Sequence, residues 1–369
     1  MHIWKRLRLL ALVVLLHIPA KAHEGDHSHA DHPATVSLPL VPENKGPVKI
    51  KPDSQQHSLI SGQGYWKFVP VKGAVPVPDN ARDKVKGAHG TVVYDADRDI
   101  VYWGLQSVGW IGFSNKLQAS WIIKGDEVFS RGNLHGADLL PRKGKLPLIA
   151  VADDSEGEVY LSDTTFAKAQ VLPWPGGQPY QSKGEFHPTD VAFIDQHEIY
   201  ITDGYGKAFF VSSSTEPFAY KGEFLGGKDM SQTPHGITYK KDDKMLLIAA
   251  RPEAQAKRYK IKNKQWLETF GLPQGSTVCD LDVWGDYALA PCLDGPGKSP
   301  GPIYILNLKK KTIASIIKPK DELGYGDALH IHDAAWYFSG KGNNQEVYII
   351  FTNWNPGGIG ALKLVNQKD

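Results

Sequence analysis

Six short segments share one form: Ala88-His89-Gly-Thr-Val-Val, Leu134-His135-Gly-Ala-Asp-Leu, Phe186-His187-Pro-Thr-Asp-Val, Pro234-His235-Gly-Ile-Thr-Tyr, Val278-Cys279-Asp-Leu-Asp-Val and Ile331-His332-Asp-Ala-Ala-Trp. In each, a histidine or cysteine precedes a small or polar residue and then an apolar strand. The anchors stand 46, 52, 48, 44 and 53 residues apart. A period in that range built only from strands is the period of a β-propeller. Each copy continues alike, with a polar turn, a second and more apolar strand such as Met245 to Ala250, a loop, and a third strand such as Ile303 to Leu306. The fourth strand is often weak, as in Gln170-Val171-Leu172. Six such units close into a ring without capping repeats, so the expected fold is an all-β, six-bladed propeller over residues 59–369. Strands around Tyr65 to Val71 are the candidates to complete the last blade.

Composition agrees. Ten Trp, 15 Tyr, 37 Gly and 25 Pro in 369 residues fit many short strands cut by turns. No segment beyond the leader has helical periodicity. A net charge of +2 with scattered lysines argues against a nucleic-acid surface.

Upstream, Lys5, Arg6 and Arg8 precede the apolar run Leu9 to Leu16, and Ala20-Lys21-Ala22 has the form of a cleavage site. Residues 1–22 therefore read as a signal peptide too short for a permanent span, which implies a periplasmic or secreted protein with no stable membrane segment. Residues 23–58 read as a flexible, His- and Pro-rich arm. His23, His27, His29 and His32 in this arm are possible ligands for zinc, copper or nickel, or part of a solvated tail. The two cysteines, Cys279 and Cys292, are expected to form a disulfide in an oxidising compartment.

In a propeller the innermost strands line the central channel, so the six anchors His89, His135, His187, His235, Cys279 and His332 face one axis. The second-strand exits return to the same rim: Gly104, Asp153-Asp154, Asp203-Gly204-Tyr205, Arg251, Cys292 and Asn353. Five related histidines make either a polar lining or a metal site. Neutral imidazole is the commonest metal ligand, and Zn²⁺ suits nitrogen. Three ligands from alternate blades would leave one position open; His135, His235 and His332 fall in one alternating set, His89 and His187 in the other. Asp138 and Asp190 are candidates either to orient imidazoles or to bond neighbouring blades. His330, two residues before His332, is a possible substitute ligand. Tyr205 and Arg251 suit a general base and an oxyanion clamp beside a metal-bound hydroxyl; packing between blades and an ion pair with Glu253 are the plainer alternatives.

The segments His187-Pro-Thr-Asp-Val-Ala-Phe, Ile-Thr-Asp203-Gly-Tyr205 and Pro234-His235-Gly-Ile-Thr with Arg251 resemble the peptidylamidoglycolate lyase domain of peptidylglycine α-amidating monooxygenase, within the NHL-repeat propeller group. That resemblance implies zinc held by His135, His235 and His332. It implies a structural Ca²⁺ at Asp333, with main-chain carbonyls near the first two anchors. It also implies a catalytic Tyr205, a substrate-binding Arg251, and a small hydroxylated or peptide-derived substrate. One departure stands out. The family carries a second arginine where this chain reads Tyr102-Trp103-Gly104. The competing expectation is a non-catalytic propeller that serves as a binding scaffold or handles periplasmic metal through its arm.

Overall fold

The computed structural model describes residues 33–51, 55–71, 73, 75–114, 116–340 and 345–366. The leader and the arm histidines His23, His27, His29 and His32 lie outside the described residues.

Six antiparallel sheets follow one another along the chain. Blades 1 to 3 begin with the inner strands Thr91–Asp95, Leu134–Arg142 and Asp190–Asp195. Blades 4 to 6 begin with Pro234–Lys240, Asp282–Trp284 and His330–Ser339. Within each blade the chain moves outward strand by strand, so the fold is the six-bladed β-propeller that the repeat predicts. The second strands read as continuous apolar runs because both faces are covered. Met245–Ala250 is buried along its whole length, packed between neighbouring blades.

Closure of the ring uses the start of the chain. Trp66–Pro70 pairs antiparallel with Gly358–Val365, and Ser61–Gln63 adds beyond it. The early strand thus completes blade 6, as the sequence suggests. Trp66 is fully buried and meets Tyr65, Trp284, Tyr287 and Trp336 edge-on or tilted.

The arm differs from expectation past His32. Thr35–Ser37 pairs in parallel with the outer edge of blade 4, and Leu40 bridges to Ile313 in blade 5. Glu43 is buried, where it accepts from Tyr287 Oη at 2.7 Å, Asn307 Nδ2 at 2.8 Å and Lys310 Nζ at 2.6 Å. Folded structure therefore starts near Thr35 rather than Leu59. The polar, proline-rich composition hid this, because an edge strand needs backbone groups more than apolar side chains.

The disulfide expectation is also corrected: Cys279 and Cys292 are buried free thiols. Val278, not Cys279, stands opposite Cys292. Side chains alternate faces along a strand, so the two thiols point to opposite sides. Cys292 packs with Val278 in the apolar layer between blades, while Cys279 lines the channel.

Candidate functional site

Three inner strands begin with a break in pairing, at Leu134/Gly136, Pro234/Ile237 and Ile331/Asp333. Such a bulge turns one side chain out of the ladder. In each case that side chain is a histidine, and the blades alternate. His135, His235 and His332 are 1%, 2% and 2% exposed. Their ring centroids are 4.7 Å apart for His135–His235, 4.6 Å for His135–His332 and 5.1 Å for His235–His332. The structure thus brings together the three residues that the family resemblance implies.

Backbone carbonyls of the next blade fix the rings. His135 Nδ1 donates to Thr189 O at 2.7 Å, and His235 Nδ1 donates to Cys279 O at 2.7 Å. That tautomer leaves each Nε2 with a lone pair toward the axis. The Gly90 carbonyl lies beside His332, but neither His332 nitrogen makes a well-formed hydrogen bond. Burial holds all three imidazoles far below their ordinary pKa, His135 at about 3. They are neutral imidazoles, and an unpartnered ring nitrogen such as that of His332 could hold a nitrogen-preferring cation.

Tyr205 reaches over this cluster from the exit of blade 3. Its hydroxyl lies 2.9 Å from His235 Nε2 and 3.2 Å from His135 Nε2, and it accepts from Arg251 Nη1 at 2.6 Å. The loop is held by Asp203, whose carboxylate accepts from His187 N, Lys207 N and Tyr180 Oη, each at 2.7 Å. Burial pushes the Tyr205 phenol up to about 12, against the pull of Arg251. Arg251 makes no ion pair among the described residues; Glu253 instead accepts from Gln232 N at 2.7 Å. Arg251, Tyr205, Thr233, Ser276, Thr277 and Lys298 border an open cleft of about 500 Å³ at the mouth.

The other anchors separate. His187 bonds Asp154 O at 2.8 Å and Gly184 O at 3.1 Å, away from the axis. Thr189, two residues on, holds the inner-strand place. His89 stands two residues ahead of its strand, and Gly90 between them turns the chain at φ +69°, where a Cβ would meet Trp103 Nε1 at 2.4 Å. The turn sends His89 into the mouth, 5.2 Å from His135 and 5.1 Å from His332 by ring centroids. The expectation that His89 lies outside the cluster therefore differs from the structure. His330 also departs: the bulge breaks the alternation that would align it with His332. It bonds Leu293 O at 3.1 Å and lies against Trp354 instead.

Below the histidines, a belt of aspartates lines the same channel, a cavity of about 220 Å³. Asp138 accepts from Phe193 N, Asp190 from Ile237 N, Asp282 from Trp336 N and Asp333 from Val92 N, each at 2.7 Å. Each bond crosses from one blade to the next. Asp138 and Asp190 are therefore inter-blade stitches, not partners of imidazoles. This packing also explains Gly136, since a Cβ there would come within 2.4 Å of Asp190 Oδ1. The Asp333 carboxylate also meets the Asp280 carboxyl, and two touching buried carboxyls suit a hard cation.

Burial outweighs these bonds and raises the belt, Asp282 to about 7 and Asp138 to about 6. Native protein therefore keeps protons that the unfolded chain, with aspartates near 3.9, has released. The stabilising effect is present at low pH and is lost as pH rises through 6 to 7. The buried imidazoles oppose it over the same range, because unfolded histidines take up protons near 6.5. The contribution of Asp282 is therefore read as a difference: with chelator present, the Tm advantage of the parent over Asp282→Asn is expected to grow by about 1–3 °C on going from pH 8 to 6.5. Calorimetry of both proteins across that window checks this, and a constant or shrinking difference contradicts it.

Several site features escaped the sequence reading. Asn133 and Asp154 lie beside His89, and Trp354 stacks on it at 5.3 Å and 12°. No repeat position marks them. At the first-blade exit, a Cβ on Gly104 would already touch Thr91 and Leu134 at 3.0 and 3.1 Å, so the missing arginine has no counterpart there.

No protein-family model matches this chain, and no curated protein does either. Solved structures do. A chain of a nidogen/laminin complex aligns with TM-score 0.50 at 12% identity, over 74% of this chain and 96% of that one. The β-propeller domain of Cps50 (Swd1) from Myceliophteria thermophila aligns at 0.48 and 11%, over 75% and 83%. At this identity the first likeness speaks to the fold alone.

Proposed function

We propose that this chain is an exported, zinc-binding propeller whose channel mouth carries a lyase-type centre for a small hydroxylated or peptide-derived substrate with a carboxylate or carbonyl oxygen. The observation that carries the reading is the convergence of the His135, His235 and His332 rings beneath a Tyr205 hydroxyl that is bonded to an unpaired Arg251. His135, His235 and His332 would hold the metal, which when bound supplies a Lewis acid that makes a substrate hydroxyl more acidic. Arg251 offers a charge-assisted clamp for the substrate oxyanion. Tyr205 is placed to take the hydroxyl proton, and only a second cation beside Arg251 brings its phenol down from about 12 toward a useful range. The Asp280–Asp333 pair is the place for a structural Ca²⁺.

One observation favours a non-catalytic reading. Gly104 leaves the first-blade sector without an arginine, and the His89–Trp354 stack fills part of the mouth. In that case the centre stores or passes metal, with the His-rich arm as its collector. Purified protein separates the two. On an amidoglycolate-ended peptide, turnover with one zinc per chain is expected, and Tyr205→Phe should lower it by about 100-fold or more with metal content unchanged. Stoichiometric zinc without turnover leaves the metal-handling reading; absence of zinc ends both.

A further inference from the structure

The structure assigns His89 as a binding residue for the substrate: its Nε2–H holds one oxygen of a carboxylate whose other oxygen lies on Arg251. This deepens the reading above and rests on it.

Asn133 places the proton on His89. Asn133 Nδ2 donates to the Asp154 carboxylate at 2.7 Å, which fixes the end of the amide that carries hydrogens. The Asn133 backbone N–H is anchored in turn on Asp153 at 3.1 Å. The second hydrogen of Nδ2 faces His89 Nδ1 at 3.3 Å. His89 Nδ1 therefore accepts, and the ring proton is on Nε2. That contact is the one hydrogen bond of His89 among the described residues, so the Nε2–H is left to a ligand. A protonated Nε2 has no lone pair to give a metal. His89 is thus a donor beside the three-histidine cluster and not a member of it.

Its position suits a substrate oxygen. The His89 ring lies 5.2 Å from His135 and 5.1 Å from His332 by centroids, and it is half-buried where those two are fully buried. Trp354 stacks on its face at 5.3 Å and 12°, which holds the ring at the mouth. Arg251 is the second donor. It reaches the same cluster through Tyr205 Oη at 2.6 Å, and that hydroxyl is 3.2 Å from His135 Nε2. The guanidinium is near enough for its charge to act on the His89 ring. A carboxylate offers an acceptor oxygen to each donor, whereas the corresponding amide would turn an N–H₂ toward one of them.

The test uses the zinc-loaded full-length chain with His23, His27, His29 and His32 changed to alanine, so that the arm adds no sites. The probe is an N-acylglycine, which has the carboxylate but no hydroxyl to react, and the comparison is its N-acylglycinamide. Both are titrated by calorimetry. The parent is expected to bind the acid about 10-fold or more tightly than the amide. His89→Ala should weaken acid binding by about 10-fold or more, the effect of one hydrogen bond to a charged group, and leave zinc content unchanged. His89→Gln, whose side-chain amide offers an N–H at similar reach, should recover most of that loss, which a folding defect would not permit. Acid affinity in His89→Ala within about threefold of the parent overturns the assignment and leaves the metal site standing. Loss of zinc from His89→Ala also overturns it, since His89 would then be a ligand. A parent that holds no zinc, or holds zinc and binds neither compound, overturns the reading on which the assignment rests.

Discussion

His332→Ala is expected to take bound zinc from about one per chain to a tenth or less, and to leave the propeller folded. The two halves of this result have one cause. His332 sits at the centre of the cluster, 4.6 Å from His135, 5.1 Å from His235 and 5.1 Å from His89 by ring centroids, so no remaining set of ligands spans the gap it leaves. Unlike His135 and His235, it gives the metal-free fold nothing in return. Both ring nitrogens are buried without a well-formed hydrogen bond, a condition that costs about 1–3 kcal/mol. Alanine removes that cost, so the metal-free variant should unfold at or above the temperature of the metal-free parent. The parent alone should gain stability as zinc is added, because only it has a site that the unfolded chain lacks. Elemental analysis with paired thermal scans, in the background without arm histidines, measures both. Zinc retained at parental stoichiometry would falsify the channel site.

The largest loss of stability should come from the blade that closes the ring. Trp66→Ala is expected to destabilise the fold by about 3–5 kcal/mol. Trp66 is fully buried, packs with Trp284, Tyr287 and Trp336 across the blade 5–blade 6 boundary, and lies in the strand that closes the ring onto Gly358–Val365. Its loss leaves a large void in the one blade built from both ends of the chain. Trp121, on the outer strand of blade 1 and 38% exposed, is the control and should cost under about 1 kcal/mol when changed to alanine. Urea titrations of the two variants decide the matter. Equal midpoints would mean that closure contributes no more than an ordinary surface contact.

The repeat was legible because each blade must solve the same problem. Every inner strand needs a polar start at the channel and an apolar body between blades, so the same short pattern recurs six times. The choice of His135, His235 and His332 rested on the family resemblance, and their place in alternate blades is a property of order along the chain. Register was less accessible. His89 and His187 match the pattern in letters, yet Gly90 and Thr189 hold the corresponding backbone places beside His332 and His135. The offset is one residue for His89, two for His187, and one again between Cys279 and the place opposite Cys292. A shift of one residue flips a side chain to the other face, and composition does not record it.

What the sequence determined by itself is therefore periodic: six blades, a channel lined by histidines, the early strand that closes the ring, and Tyr205 with Arg251 at the same rim. These depend on spacing and on local polarity, which survive reading in one dimension. What only the tertiary structure decided is directional. It turned Asp138 and Asp190 into stitches between blades, laid Thr35–Ser37 on blade 4, kept the thiols apart and swung His89 into the cluster. Each of these depends on where a bulge or a turn aims a single bond, and that direction is set by close packing against the neighbouring blade.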